Sequence, residues 1–312
     1  MTTRNTSTTT TTINIELWFI PLDIIGLICI ILAIIFPLIF LFIIIIDKTC
    51  HTVSMLLIAN SCLLETIFAS IRNGAVVFVL QNDIKQIIYE DSLCIFRAYI
   101  ADGICATLNY SFLLQALYRY VTVVYPQWLF YQTATCQIIL IFITWIIGLA
   151  YPLEFMLRNE ILYNINNQIC QLPLGLSFSL IYMVLCIYII PVLLVILIYF
   201  KLVLYVKKMS KRVTLANTLF RAQRELKMVR RILILVIILI ALGFPYTVFI
   251  IISFFTTPEK YHFRIALIFL DVSLVFIFVA LFQFNDSLKI AVIKIIKRHR
   301  RRRRKVFAAI II

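Results

Sequence analysis

The stretch IIGLICIILAIIFPLIFLFIIII, residues 24–46, contains no charged side chain. A helix that crosses the hydrocarbon core of a bilayer needs about 20 predominantly apolar residues, because its backbone polar groups must all be bonded within the segment. Residues 24–46 therefore predict a transmembrane helix. The whole chain shares this character, since 63% of its 312 residues are hydrophobic and 14% are charged. Such a composition argues against a water-soluble globular enzyme.

Six further stretches of similar length are predominantly apolar: 53–81, 92–120, 134–153, 172–200, 232–258 and 265–285. Charged residues interrupt 53–81 and 92–120, so these two could instead be buried or interfacial helices, which would leave five spans. Their length favours crossing. The expected fold is an all-α membrane protein, a seven-transmembrane helix bundle with a short amphipathic cytoplasmic helix.

The basic residues of this chain, whose formal net charge is +15, are concentrated on one side of the predicted bundle. Ten Lys/Arg residues lie within 201–231 and ten more within 289–305. Loops rich in Lys and Arg mark the cytoplasmic side of a membrane, so both segments are expected in the cytoplasm. With seven spans, the amino terminus then lies outside, as in a multi-pass plasma-membrane protein.

The predicted organisation has four parts. Residues 1–19 form a disordered, Thr-rich extracellular tail in which Asn5 begins an Asn-Thr-Ser glycosylation pattern. Residues 20–285 form the membrane domain. Residues 286–299 form an amphipathic cytoplasmic helix, since apolar residues recur there at helical spacing between lysines. Residues 300–312 form a basic tail, which directly follows the membrane domain and so favours anionic lipid over nucleic acid.

The eight cysteines do not form a disulfide framework, because most fall within predicted spans or on the reducing side. Cys94, at the outer start of the third span, and Cys170, between the fourth and fifth spans, both face the oxidising side. A bond between them would hold the intervening loop over the mouth of the bundle. Two unpaired thiols are the alternative.

The third span carries a distinctive spacing. From Cys94 the chain runs 25 residues to Arg119, within Tyr118-Arg119-Tyr120, and seven more to Pro126. At this point the sequence resembles the rhodopsin-like (class A) G-protein-coupled receptors. That family has a cysteine, an Asp/Glu-Arg-Tyr triplet and a proline at the same intervals.

Other landmarks of that family recur in matching order: Asn60 and Glu65 in the second span, Trp145 in the fourth, Pro191 and Tyr199 in the fifth, and Pro245 in the sixth. The chain also departs from the family pattern. Tyr118 replaces the acid of the triplet, residues 243–245 lack the family's tryptophan, and residues 277–281 replace its Asn-Pro-x-x-Tyr motif. In the first span Pro37 stands where the family usually has Asn. The resemblance covers about residues 20–297 and is that of a divergent member.

The resemblance implies a receptor that binds an extracellular ligand and activates a heterotrimeric G protein by displacing the sixth helix, which contains Pro245. Arg119 and Tyr120 would meet the G protein. Glu225 lies 20 residues before Pro245, where the family places an ionic partner for Arg119. An Arg119–Glu225 pair would hold the resting state, and Tyr199 would stabilise the open form. Glu225 could instead be a solvated loop charge.

Glu65 matches the family's sodium-binding carboxylate, and this resemblance implies a sodium ion there. Asn109 and Ser273 are candidates for the remaining polar groups of the shell, although Leu108 occupies the usual serine position. A neutral, protonated Glu65 that is hydrogen-bonded within the bundle is equally compatible with the sequence. No other cofactor or metal is expected.

Four ionisable residues in the outer halves of the spans are candidate anchors of a ligand pocket: Arg72, Arg97, Asp102 and Asp271. Amine receptors of the family carry an acid seven residues after the span-three cysteine, where this chain has Ala101, so the sequence does not support an amine ligand. Two arginines suggest a carboxylate or a peptide carboxyl end. An internal Arg97–Asp102 or Arg72–Asp271 pair is as plausible, and the ligand stays unidentified.

Other functional classes fit less well. No enzyme is expected, since the chain has three histidines and no hydrolase, phosphate-loop or metal-site motif. A transporter or channel could use Glu65, Asp102 and Asp271 as an ion path, but the sequence shows no internal repeats. The third hypothesis is a receptor-like protein that no longer signals and acts as a binding or dimerising partner.

Overall fold

The computed structural model describes residues 18–212, 243–256, 260–284 and 289–294. The helices within these ranges are α1 (Phe19–Ile46), α2 (Val53–Lys85), α3 (Cys94–Val124), α4 (Ala134–Ala150), α5 (Leu153–Leu157), α6 (Phe178–Val184), α7 (Ile190–Arg212), α8 (Gly243–Phe255), α9 (His262–Phe284) and α10 (289–294). Two 3₁₀ turns cover Lys48–Cys50 and Phe130–Gln132, and a π-helical segment, Leu185–Ile189, joins α6 to α7.

Five helical segments of the described residues are long and apolar enough to cross a membrane: Phe19–Ile46, Val53–Lys85, Ala134–Leu157, Phe178–Lys208 and His262–Ala280. The third combines α4 with α5, and the fourth combines α6 with α7. The helix α3 has 31 residues, which suffices for crossing, and α8 is a shorter apolar helix. The chain is therefore a helical, multi-pass membrane protein, while the count of seven spans stays a prediction.

A short antiparallel hairpin lies between α5 and α6. It pairs β1 (Leu162–Asn164) with β2 (Ile169–Gln171), with Tyr163 opposite Cys170. The expectation of an all-α chain missed this hairpin, because strands of three residues show too little alternation to be recognised.

The fifth predicted span, 172–200, begins earlier than the helix found there. Residues 172–177 are not helical, and α6 begins at Phe178. The Ser177 hydroxyl accepts a hydrogen bond from the backbone N–H of Leu180, which satisfies one of the free donors of the first turn. The local capping residue, and not the end of the apolar run, therefore sets this boundary.

The helix α3 lies centrally, in contact with α2, α4 and α7, while α1 packs on α2 and α9. Buried apolar side chains from α1, α2, α3 and α9 form a shared core: Ile30, Ala33, Leu64, Phe68, Leu108, Phe112 and Leu274. The helix α4 approaches α3 closely at Gly148, since a Cβ there would overlap Thr107 Oγ1. Small residues at helix contacts allow such an approach in membranes.

The predicted cytoplasmic helix, 286–299, is helical in its described part, 289–294. Lys294 Nζ lies 3.2 Å from both carboxylate oxygens of Asp47, which follows α1. The backbone N–H and hydroxyl of Thr49 also donate to Asp47, and these bonds hold the pKa of that carboxyl below its ordinary value. The ion pair fixes α10 against the end of α1.

Candidate functional site

A cavity of about 200 Å³ lies at one end of the bundle, between α2, α3, the hairpin, the α6–α7 junction, α8 and α9. This end also bears the disulfide between Cys94 and Cys170, which confirms the predicted pairing. We call it the outer end and the opposite end, which bears Arg119, the inner end. The bond fixes β2 to the start of α3, so the hairpin is held across the cavity. Most of the lining is apolar: Phe68, Phe78, Ala98, Met183, Ile250 and Leu267.

A buried ion pair joins α2 to α9 beside this cavity. Arg72 Nε lies 3.1 Å from Asp271 Oδ1, and Arg72 Nη2 lies 2.9 Å from Asp271 Oδ2. Both side chains are almost fully buried. This bidentate arrangement is one of the two internal pairs that the sequence left open, and it neutralises the arginine within the apolar bundle.

Arg97 and Asp102, the other pair that the sequence left open, do not bond to each other. Arg97 donates instead to Asp91, in the turn before α3. Positions five residues apart on a helix are separated by about 140° of rotation, so the two side chains leave α3 in different directions. Asp102 is half-buried and lines the cavity, and in the described part of the chain its carboxylate has no ion pair or hydrogen bond. The Tyr151 hydroxyl donates to the backbone carbonyl of Asp102, at 3.4 Å.

A second cluster, which we call the outer clasp, consists of Asp23, Asp83, Asn167, Gln168 and Arg264. Arg264 donates to both carboxylate oxygens of Asp83, at 2.6 and 2.9 Å. Gln168 Nε2 donates to the same carboxylate at 2.8 Å, and the Arg264 backbone N–H donates to Asn167 Oδ1 at 3.2 Å. Asp23 Oδ2 lies 4.0 Å from Arg264 Nη1. The clasp therefore ties α1, α2 and the hairpin to α9.

The sequence analysis did not predict the outer clasp, which brings together Asp23, Asp83 and Arg264 from three separate helices. The available signal was their position. Each lies near the outer end of a predicted span, so a bundle brings them to one level. Opposite charges at one level are expected to pair.

Arg119 lies at the inner end of α3 and is half-buried. No described residue forms an ion pair or a hydrogen bond with its guanidinium, and Glu225, its predicted partner, lies outside the described residues. Tyr199 on α7 is buried and close enough to interact electrostatically with Arg119. Tyr120 packs in the same cluster as Tyr199. Pro245 lies in the first described turn of α8.

A comparison with models of known protein families decides the identity. The model of the rhodopsin family of seven-transmembrane receptors matches residues 37–282. The chain belongs to this family. In a comparison with the sequences of curated proteins, no significant match to this receptor was found. Members of the family are receptors rather than enzymes, and in general they take extracellular ligands and act through G proteins.

Glu65 of the receptor is fully buried in α2, and in the described part neither of its carboxylate oxygens has a hydrogen-bond partner. The two residues predicted to share its ion shell have other partners. Asn109 Nδ2 donates to the Ile187 carbonyl at 2.9 Å, and Ser273 donates to the Leu270 carbonyl. The unpartnered carboxylate suits a cation, and no hydrogen bond links Glu65 to Asn109 or Ser273 among the described residues.

A separate buried network joins α2, α3 and α4 of the receptor. Asn60 donates to Ser111 at 3.0 Å, Ser111 shares a 2.6 Å hydrogen bond with Ser61, and Gln115 donates to Ser61 at 2.7 Å. Trp145 on α4 donates to Asn60 at 3.0 Å. Asn60 and Trp145, two landmarks of the family, therefore bond to each other across the bundle.

The bond from Asn109 has a local cause. Pro191 has no N–H, so it cannot donate to the carbonyl four residues earlier, that of Ile187. The Asn109 amide supplies a donor to this carbonyl from α3. The carbonyl lies in the π-helical segment, and Asn109 and Ile187 both line the cavity. Asn109 therefore connects the cavity to the irregular turn of the α6–α7 helix.

The tryptophan that the family has two residues before the proline of the sixth span is absent from this chain, and a tyrosine of a neighbouring helix lies beside its place. At its place on α8 stands Gly243, and a Cβ there would lie 2.9 Å from the Tyr188 hydroxyl. Tyr188, which precedes α7, thus occupies the space beside Gly243 at the cavity. A direct contact between the α6–α7 helix and α8 is retained by a different residue.

Proposed function

We propose that this protein is a G-protein-coupled receptor that binds an extracellular ligand, a peptide or a small molecule, in the outer cavity. Binding activates a heterotrimeric G protein through displacement of α8, the helix that contains Pro245. The observation that carries this proposal is the arrangement of α3. One helix lines a cavity at its outer end and presents a half-buried arginine, without a described partner, at its inner end.

The ligand acts by binding one of two arrangements of the bundle more tightly than the other. The cavity is bounded both by α3 and by α8, through Tyr246, Thr247 and Ile250. A ligand between them changes the relative stability of the two positions of α8. Arg119 is about 26 Å from Asp102 along α3, at 1.5 Å per residue, so the helix spans most of the membrane between the two sites.

In the resting state, Arg119 pairs with Glu225, and Tyr199 stabilises Arg119 once α8 has moved. Tyr118 replaces the adjacent acid of the family, so a single carboxylate holds the resting state, and basal signalling is raised. Basal G-protein activation of Glu225→Ala should exceed that of the unmodified receptor at equal surface expression. A basal activity no higher than that of the unmodified receptor would exclude this latch.

The decisive experiment is a G-protein activation assay in cells that express the unmodified receptor or Arg119→Ala at matched surface levels. Because the unmodified receptor has raised basal signalling, the assay needs no known ligand. The unmodified receptor should activate at least one G-protein class, and Arg119→Ala should abolish that activation. The control variant is Arg158→Ala. Arg158 directly follows α5, and its exposed side chain pairs with Glu154 of that helix. A silent unmodified receptor, or signalling that survives Arg119→Ala, would contradict the proposal.

A transporter or channel would require the acids of the ion path to be accessible. Asp271 is instead buried against Arg72. The receptor reading is therefore the better supported one. Ion flux that depends on Asp102, with no G-protein activation, would favour the transporter.

We further propose that a sodium ion binds at Glu65, supported by its two buried, unpartnered oxygens. The ion would stabilise the resting bundle. Sodium chloride should raise the Tm of the purified receptor more than choline chloride does, and Glu65→Gln should remove the difference. Equal effects of the two salts would favour a protonated Glu65.

The receptor resides in the plasma membrane with its amino terminus outside, glycosylated at Asn5, and its carboxyl terminus in the cytoplasm, where the basic tail binds anionic lipid. The concentration of Lys and Arg in 201–231 and 289–305 supports this orientation. Antibody access to an amino-terminal tag on intact cells, together with loss of the glycan in Asn5→Gln, tests it. Antibody access to the tag only after permeabilisation would show that the amino terminus lies in the cytoplasm.

A further inference from the structure

We propose that the outer cavity binds a cationic group, a protonated amine or a basic peptide side chain, with Asp102 as its counter-ion. This inference rests on the proposed ligand-binding function of the same cavity and assigns the chemical class of the ligand. It reverses the expectation drawn from the two arginines, which suggested an anion.

The pairing of the charges around the cavity carries the inference. Asp271 holds Arg72 through two hydrogen bonds, and Asp91 holds Arg97. Each arginine is therefore already balanced by a carboxylate, so an anion that entered the cavity would add a negative charge that neither arginine is left to neutralise. Asp102 lines the same cavity, and among the described residues nothing pairs with its carboxylate. With all five groups ionised, two arginines against three carboxylates leave one negative charge, and Asp102 is the carboxylate without a described partner.

The surroundings of Asp102 strengthen its preference for a cation. The cavity wall is predominantly apolar, and an isolated carboxylate in such a place is costly unless a charge of opposite sign compensates it. Tyr188 and Tyr246 also line the cavity, and the faces of aromatic rings attract cations. Gln171 donates to the Tyr246 hydroxyl, which connects this ring to the hairpin. The cavity wall therefore offers a ligand cation one carboxylate and contains two aromatic side chains.

Asp102 does not coincide with the acid of the family's amine receptors, whose place is Ala101. One residue along a helix corresponds to a rotation of about 100°, so the two positions face different neighbours. Ala101 and Asp102 both line this cavity. The arrangement thus presents its negative charge from a different side of α3.

The test measures binding of three small probes of matched size to the purified full-length receptor in phosphatidylcholine nanodiscs, without G protein. The probes are 4-phenylbutylamine, 4-phenylbutanol and 4-phenylbutyrate, which are cationic, neutral and anionic at pH 7. Ligands that bind the folded state raise Tm in proportion to ln(1 + [L]/Kd), so Kd follows from the dependence of Tm on probe concentration. We expect the amine to bind at least about tenfold more tightly than the alcohol, or about 1.4 kcal/mol, and the butyrate to bind most weakly.

Two variants locate the preference. Asp102→Asn should reduce the amine-to-alcohol ratio to within about threefold, while Asp102→Glu should retain most of it. Glu90→Gln removes the same charge from an exposed site on the outer side and controls for long-range electrostatics and membrane partitioning. It should leave the ratio unchanged.

Four results would overturn the assignment. They are no amine-dependent shift in the unmodified receptor, equal affinity for all three probes, tighter binding of the butyrate, and an amine preference that persists in Asp102→Asn. If Asp102→Asn does not fold, the three-probe comparison on the unmodified receptor and Asp102→Glu still decides the question. The assay contains no G protein, so a failure here leaves the Arg119→Ala test of signalling untouched, and the reverse also holds.

Discussion

The two ends of α3 hold their charges in different ways. At the outer end, the disulfide fixes Cys94 to the hairpin, and Arg97 is paired with Asp91. The outer clasp closes over the same end of the bundle. At the inner end, Arg119 is half-buried and has no described partner. The disulfide and the outer clasp hold the outer end in one arrangement, whereas the proposed exchange of Arg119 from Glu225 to Tyr199 requires a charge that changes partners. We therefore interpret the outer end as a scaffold for the cavity and, under the proposed function, the inner end as a switch.

Removing the central cation of the outer clasp should damage the scaffold most. Arg264→Ala leaves Asp83 fully buried without its main countercharge, and the loss of one partner of a buried pair costs about 3–5 kcal/mol. We expect a large fall in the Tm of the purified receptor. Arg158→Ala is the matched control, because that guanidinium is 58% exposed and its pairing is worth at most about 1 kcal/mol. Equal falls for the two variants would show that the clasp is not a scaffold.

Breaking the disulfide should have the next largest effect on the outer end. Cys170→Ser opens a loop closed over 76 residues, and the loss of such a bond costs about 2–5 kcal/mol. The Tm should fall, and binding of 4-phenylbutylamine should weaken because the hairpin no longer spans the cavity. Cys29→Ser, which alters a free cysteine of α1, should change neither. An unchanged Tm in Cys170→Ser would show that the disulfide does not stabilise the outer end.

The bond between Asn109 and the α6–α7 helix should matter least of the three. Asn109→Leu leaves the Ile187 carbonyl without this donor, at a cost of about 1–3 kcal/mol. In a Pro191→Ala background the new N–H can donate to the same carbonyl, so the additional cost of Asn109→Leu should shrink. A double-mutant cycle on the free energy of unfolding measures this coupling. Equal costs in both backgrounds would mean that Asn109 does not replace the bond lost at Pro191.

The sequence predicted those features that depend on local composition. Apolar runs located the long helices, and the position of Cys94 and Cys170 relative to the spans indicated their bond. The spacing from Cys94 through Arg119 to Pro126 indicated the family, which the family model confirms. All of these signals lie within one segment or depend only on which side of the membrane a residue occupies.

The sequence could not decide between the possible partners of the buried charges, because the pairing depends on how each helix is rotated about its axis. The sequence offered Arg72–Asp271 and Arg97–Asp102 as alternatives to a ligand site, and only the structure shows that the first pair forms and the second does not. The isolation of Asp102 follows only once Arg97 is seen to bond Asp91. The ligand class therefore stayed open at the level of sequence, although every charged residue was identified.

The division between scaffold and switch is tested most directly by measuring two properties of Arg119→Ala together. One is the Tm of the purified variant, and the other is G-protein activation in cells at matched surface expression. If Arg119 acts as a switch, activation should be lost while Tm stays within about 2 °C of the unmodified receptor, a change that corresponds to roughly 1 kcal/mol for a chain of this size. Preserved activation, or a fall in Tm as large as that of Arg264→Ala, would contradict the account.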